Sequence, residues 1–191
     1  MLRLHDLVEL ESGTPQFRIN ESPNKNAPRY FFYGQTNLED DLMGVHSSTE
    51  TSKQIYTEDK VATLCAGDLV FGLISGKATI VNVEHDGYLF TQNYVRLNPS
   101  EGIDSKYLAY LLNEDADIRR QLMVGQQGSF IVKFTVKQLS ELKISSLPPR
   151  EEQELIGDLY FNGLKLESLK KHQAVLETTL LKGKIKKAVR S

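Results

Sequence analysis

Apolar and polar positions follow two different periods along this chain, and the change falls at Pro148-Pro149. Before that dipeptide, "DLVFGLIS", "KATIVNVE", "GYLFTQNYVRLNP" and "LKISSLP" read as short alternating segments bounded by turn residues, the pattern of half-buried strands. One insert reads differently. From about Asp104 to Met123, the residues Tyr107, Leu108, Leu111, Leu112, Ile118 and Leu122 fall near one face of a helix. The stretch "GTPQFRINESPNKNAP" has prolines, polar residues and no period, so it is predicted as loop. Residues 1–149 are therefore expected to form an α/β (α+β) domain with a mostly antiparallel sheet.

After the prolines the period becomes helical. Glu151, Glu152 and Glu154 occupy the first turns, where negative charge suits a helix N-terminus and a preceding proline costs no hydrogen bond. Leu155, Leu159, Leu166, Leu169, Leu176 and Leu180 follow at spacings of three, four or seven, and Gln173 fills a polar gap in the seam. A helix over residues 150–191 would be on the order of 57 Å long. The domain before it has an expected radius of gyration of only about 15 Å, so the far half of the helix needs a partner. These seven side chains are the expected dimerisation surface of a long C-terminal coiled coil. Gly157, Gly163 and Gly183 each weaken a helix by up to about 1 kcal/mol, and a hairpin folded back near Gly163 is the competing arrangement.

Composition changes this picture little. With 40% hydrophobic and 25% charged residues, the chain is an ordinary globular one. No apolar run approaches a membrane span, and the N-terminal "MLRLHDLVELESG" is broken by charges where a signal peptide would be apolar. A cytoplasmic location follows as an expectation. The single Cys65 forms no internal disulfide, and His5, His46, His85 and His172 are scattered with no second soft ligand beside them. No metal site is expected, and each histidine is read as a surface or capping residue. His85-Asp86 falls in an expected turn before Gly87.

A net charge of -2 counts against a stand-alone nucleic-acid binder unless charge is segregated. It is segregated at the C-terminus, where Lys182, Lys184, Lys186, Lys187 and Arg190 crowd together without an acid. Two readings stay open there: a solvated helix end whose cations offset the helix dipole, or a phosphate contact.

Candidate chemistry begins with "GLISGKAT", residues 72–79. A nucleotide-binding loop needs four residues between its glycines and a hydroxyl after the lysine. Here three residues separate Gly72 from Gly76, Ala78 takes the hydroxyl's place, and a β-branched run follows instead of a helix. A hairpin turn is the better reading. Catalytic patterns are equally incomplete. Asn98-Pro99-Ser100 lacks the second proline and the aromatic of an amino-methyltransferase motif. Glu141-Leu142-Lys143 has half of a magnesium nuclease spacing with no Pro-Asp before it. We expect no catalytic residues.

The stretch "GQQGSFIVKFTVKQLSELKISSLPPREEQELIG", residues 125–157, resembles the end of a target-recognition domain and the start of the spacer helix in specificity (S) subunits of type I restriction-modification systems. Gly128-Ser129, Leu139, Leu142, Ile144, Pro148, Pro149, Glu152, Gln153 and Ile156 match that pattern, and Arg150 replaces a common Leu. "LCAGDLVFGLISGKATIVNV", "TQNYVRLNP" and the opening "LVELESGTP" are similar to the family's strands and start. A complete S subunit resembles two recognition domains and two spacer helices, whereas this chain shows one of each.

The resemblance implies a non-catalytic, sequence-specific DNA-recognition subunit acting on a bipartite target as a homodimer, two chains pairing in antiparallel fashion through their C-terminal helices. A separate adenine methyltransferase subunit and a restriction subunit would then carry S-adenosylmethionine, magnesium and ATP, with no cofactor in this chain. Base readout needs short polar side chains on exposed loops. Two loops meet that need: "SGK" with Ser75 and Lys77, and "GQQGSFIVK" with Gln126, Gln127, Ser129 and Lys133. Gly72 and Gly76 would allow close backbone approach to DNA, or these residues only close turns. A non-DNA coiled-coil adaptor is the alternative function.

Overall fold

The computed structural model describes residues 2–24, 26–45, 52–124 and 133–190. Its centre is a four-stranded antiparallel sheet built from β2 (Val8–Ser12), β7 (Tyr94–Pro99), β5 (Leu69–Gly72) and β6 (Lys77–Ile80), in that spatial order. Around it, β1 (Leu2–Arg3) pairs with β8 (Lys143–Ile144), and β3 (Arg29–Phe31) pairs with β4 (Gln54–Tyr56), both antiparallel. The helices are α1 (Leu4–Leu7), α2 (Gln35–Met43), α3 (Ser105–Glu114), α4 (Ala116–Val124), α5 (Val136–Ser140) and α6 (Arg150–Arg190). The fold is α+β, with a long C-terminal helix.

Strand β5 explains why the sheet needs cover on both faces. Leu69, Val70, Phe71 and Gly72 are all buried, a continuous apolar run rather than an alternation. Leu69 and Phe71 point into a core shared with α3 and α4, where Leu108, Leu112, Ile118 and Leu122 lie. Val70 points the other way, into a second cluster with Tyr33, Leu38, Tyr88 and Phe90. Alternate residues of one strand thus anchor two layers.

Several elements depart from the sequence reading. The single helix expected between Asp104 and Met123 is broken at Asp115, which ends α3 in an extended conformation and accepts a 2.9 Å hydrogen bond from Ile118 N at the start of α4. A short carboxylate competes with the helix backbone and is better used as a cap. "LKISSLP" gives only the two-residue β8. "GYLFTQNYVRLNP" becomes a strand only from Tyr94, because Gln92 and Asn93 form a turn. His85 is no surface residue: it is 5% exposed. Asn37 Oδ1 accepts from Gly34 N, so Asn37 Nδ2 faces His85 Nε2 at 3.0 Å. That leaves Nδ1 to donate to Asp41 Oδ1 at 2.7 Å, while Tyr33 OH donates to Asp41 Oδ2 at 2.7 Å. The imidazole pins α2 to the loop before β7.

Helix α6 runs for 41 residues without a break, so the chain does not fold back at Gly163. Its first five turns are welded to the domain. Gln153, 2% exposed, accepts from Asp104 N at 2.9 Å and donates to Pro148 O and Gly102 O at 2.9 and 3.2 Å. Gly157 sits where a Cβ would lie 2.6 Å from Lys106 Cβ and 2.8 Å from the backbone N of Tyr107; its lack of a side chain lets α6 close on α3. Tyr160 OH donates to Glu114 Oε1 and accepts from Asn113 Nδ2. From Leu169 onward every side chain that the structure describes is exposed. Among the described residues, no helix is long and apolar enough to cross a membrane.

Two glycines of α6 should therefore respond oppositely to alanine. A methyl group at Gly163 would meet nothing within 4 Å, so Gly163→Ala should stabilise by up to about 1 kcal/mol through helix propensity. Gly157→Ala should destabilise by about 1–3 kcal/mol, because the clash with α3 backbone outweighs that gain. Urea unfolding of both variants checks the signs.

Candidate nucleic-acid interface

The β5–β6 hairpin closes through Leu73, Ile74, Ser75 and Gly76. Gly76 N donates to Gly72 O at 2.8 Å, and Gly76 adopts φ +63°, a left-handed conformation that favours glycine. A Cβ on Gly76 would lie 2.3 Å from the Phe134 ring. Close approach at this glycine therefore serves packing within the chain rather than contact with an outside backbone. Arg119 Nη1 donates to Gly76 O at 2.7 Å, and Phe134 N donates to Leu73 O at 2.8 Å. The tip is held from two sides, by α4 and by the segment entering α5.

Beside the tip lies a cleft of about 240 Å³, lined by Gln35, Gly72, Ile74, Ser75, Asn93 and Tyr94. Its floor is largely apolar, with Ile74 54% exposed at the lip. Ser75 Oγ is buried and has no hydrogen-bond partner among the described residues. Lys133 Nζ donates to Asn93 Oδ1 at 3.0 Å, which brings a cation to the rim. Gln35 opens α2, and its amide donates to Glu39 Oε1 at 2.9 Å.

The residues expected to contact DNA are thus divided. Ser75 and Lys133 gather at this cleft. Lys77 does not join them: its Nζ lies 3.7 Å from Glu114 Oε1, on the side where Tyr160 meets α3. Gln126, Gln127 and Ser129 lie outside the described residues. The sequence reading misses Gln35 and Tyr94 and leaves Asn93 in a strand. Only the turn at Gln92-Asn93, which no glycine or proline marks, brings Asn93 to the rim.

The other expected surface lies on α6. Leu155, Leu159, Leu166, Leu169, Leu176 and Leu180 are each between 51% and 63% exposed, and Gln173 is exposed beside them. The residues of α6 that face the domain, Gln153, Gly157, Tyr160, Leu164 and Ser168, fall on the opposite side of the cylinder at about 100° per residue. One face is taken and the other is bare.

Two tyrosines behind the cleft are perturbed. Burial and the neighbouring Glu39 push Tyr94 up to about 12, and burial together with Asp41 holds Tyr33 well above the ordinary phenol range. Among the described residues, no group of three or more His, Cys, Asp or Glu side chains is arranged to hold a metal. Glu141 ends α5 and Lys143 lies in β8.

Comparison with known proteins gives one family. The family described as "Type I restriction modification DNA specificity domain" matches residues 1–178. Solved structures share the fold. One described as the "structural basis underlying complex assembly and conformational transition of the type I R-M system" has a TM-score of 0.64 at 13% identity, over 93% of this chain and 45% of that one. The HsdS subunit from Thermoanaerobacter tengcongensis has a TM-score of 0.52 at 18% identity, over 91% of this chain and 39% of that one. The type I S subunit from M. genitalium has 0.50 at 18%, over 82% and 36%. This chain accordingly spans less than half the length of these neighbours. No curated protein sequence matches it.

The raised tyrosines set an alkaline limit on stability. An unfolded tyrosine ionises near pH 10 while buried Tyr94 keeps its proton to about 12, so the native state binds more protons in that window. Its contribution is complete below about pH 10 and is lost as pH rises towards 12. Stability measured by denaturant between pH 9 and 12 should fall steeply, and Tyr94→Phe should reduce the slope by about one proton.

Proposed function

The chain belongs to the type I restriction modification DNA specificity domain family, and from that premise we propose that it is a sequence-reading subunit with no chemistry of its own, working in the cytoplasm as a homodimer on a bipartite DNA site with dyad symmetry. The observation that carries this reading is the division of α6 into two opposite faces. One is welded to the reader domain, while the other presents leucines more than half exposed along its length. Water is a poor neighbour for such a stripe, and a second reader brought in by it supplies the second half-site.

Within each reader the cleft beside the hairpin tip is the proposed contact. Gln35 and Asn93 carry amides able to pair with adenine in the major groove, Ile74 offers an apolar surface to a thymine methyl, and Lys133 reaches phosphate or guanine. Lys77, on the side of the tip that faces Glu114, is proposed as a contact outside the cleft, and Gln126, Gln127 and Ser129 complete the proposed DNA set. Methylation of adenine belongs to a separate methyltransferase subunit that holds S-adenosylmethionine. Cleavage belongs to an ATP-driven restriction subunit with its magnesium. The net charge of -2 is tolerable because those partners carry part of the phosphate-facing charge.

Binding of duplex DNA by the chain together with its methyltransferase tests this. A specific shift is expected, weakening steeply with salt, and Lys133→Ala should reduce the slope of log K against log salt by about one. A non-DNA adaptor would give no shift and no salt dependence. Mapping methylated adenines in cells with and without the gene should show one bipartite motif disappear.

A further inference from the structure

The bare face of α6 carries more information than its hydrophobicity. From Leu155 through Leu159, Asn162, Leu166, Leu169, Gln173 and Leu176 to Leu180, the steps alternate four, three, four, three, four, three, four. All eight side chains are exposed, and they share the side of the helix turned away from the domain. The seam therefore has a centre, between Glu167 and Ser168. Reversed about that centre, Leu155 meets Leu180, Leu159 meets Leu176 and Leu166 meets Leu169. The two polar members, Asn162 and Gln173, meet each other.

We propose that the antiparallel pairing of α6 with α6 of a second copy of this chain, which the homodimeric reading already implies, takes this one register, and that the Asn162–Gln173 layer, formed twice by symmetry, fixes it. The inference rests on the homodimeric reading above and adds the register to it. Other alignments mismatch. Sliding by one heptad places Asn162 against the partner's Leu180 and Leu169 against the partner's Gln173; sliding the other way places Asn162 against Leu166 of the partner subunit and Leu155 against Gln173 of the partner subunit. Each sets Asn162 among leucines without a partner amide and leaves Gln173 only its 2.8 Å bond to Glu177 Oε1, the penalty by which a polar core position selects register in coiled coils.

A parallel pair would also match layers by identity, but charge opposes it. Glu151, Glu152, Glu154 and Asp158 crowd one end of α6, and Lys182, Lys184, Lys186, Lys187 and Arg190 crowd the other. Parallel pairing sets each block against its twin, whereas antiparallel pairing sets acid against base and opposes the helix dipoles. The basic C-terminus thus has a place beside the partner's acidic root. In this register residue 150 lies opposite residue 185, which separates the two domain roots by about 52 Å along the axis.

Cysteine cross-linking with a short thiol reagent, in the full chain carrying Cys65→Ser, tests orientation and register together. Chains with Leu176→Cys should cross-link when mixed with Leu159→Cys, and should not do so alone or with Leu166→Cys. Cross-linking of Leu176→Cys alone would mean a parallel pair, and cross-linking to Leu166→Cys a one-heptad slip; either overturns the proposal while leaving the dimer standing. Asn162→Leu alone should weaken the dimer at least tenfold in Kd. Adding Gln173→Leu should restore dimerisation but let both the 159 and the 166 partners react. A double variant that keeps the single cross-link would remove the polar layer as the determinant. A wild-type chain that is monomeric at tens of micromolar would sink the homodimeric reading itself.

Discussion

The joint between the globular domain and α6 is the constraint on which the rest depends. It begins at the N-terminus of α3 and runs along that helix to its C-terminal end. Gln153 supplies both halves of its amide at the N-terminus, accepting from Asp104 N and donating to two carbonyls. One turn later Gly157 lets the helix backbones meet. One turn beyond that, Asn113 Nδ2 donates both to Ala78 O and to Tyr160 OH, and Asn113 Oδ1 accepts from Ala78 N. A single side chain therefore connects β6, the strand leaving the hairpin tip, to the long helix. Opening the joint would break together the bonds that Gln153 and Tyr160 make with the domain and lose the close packing at Gly157. These directional contacts fix the first turns of α6 on the domain.

How much of this is legible in the sequence depends on which force decides each element. The long helix is legible, because leucine spacing and an acidic start are local signals that no tertiary contact overrides. The antiparallel sheet is legible for the same reason, since β5, β6 and β7 lie within the segments that the turn residues bound. Asp115 escapes because a carboxylate inside a 3.6-residue pattern looks like one more solvated position until its role as a cap is seen. His85 escapes because its two partners, Asn37 and Asp41, lie more than 40 residues away in sequence. Gly157 reads as a helix weakness, yet the structure uses it as a contact. Ser75 reads as an exposed base-contacting residue, and its hydroxyl is instead tucked under the hairpin. Exposure of loop side chains is a tertiary property, and turn chemistry alone does not fix it.

Charge along α6 illustrates how one sequence feature changes meaning with context. Read alone, the C-terminal lysines are a solvated helix end or a phosphate contact. On the structure they lie at the far end of an arm whose root is acidic. Arg150 and Lys106 offset part of that acidity through contacts with Asp104, Glu154 and Asp158. These are exposed pairs of small individual worth. Over the length of the arm, however, the polarity is consistent, and consistency rather than strength is what selects an orientation.

A reader that works in pairs needs a stiff joint more than a tight grip. In the proposed dimer the two roots stand about 52 Å apart, and a swing of only about 10° at one joint would displace the far domain, relative to the domain at that joint, by roughly 9 Å. That is close to three base-pair steps at about 3.4 Å each, enough to lose the register between half-sites. A leucine seam alone does not prevent the swing, since hydrophobic burial is non-directional. Directional bonds do, and they are concentrated where the lever begins, at Gln153, Asn113 and Tyr160. The polar layer at Asn162 and Gln173 does for the other half of the lever what those residues do for the first: it converts a greasy contact of indefinite register into one of fixed length.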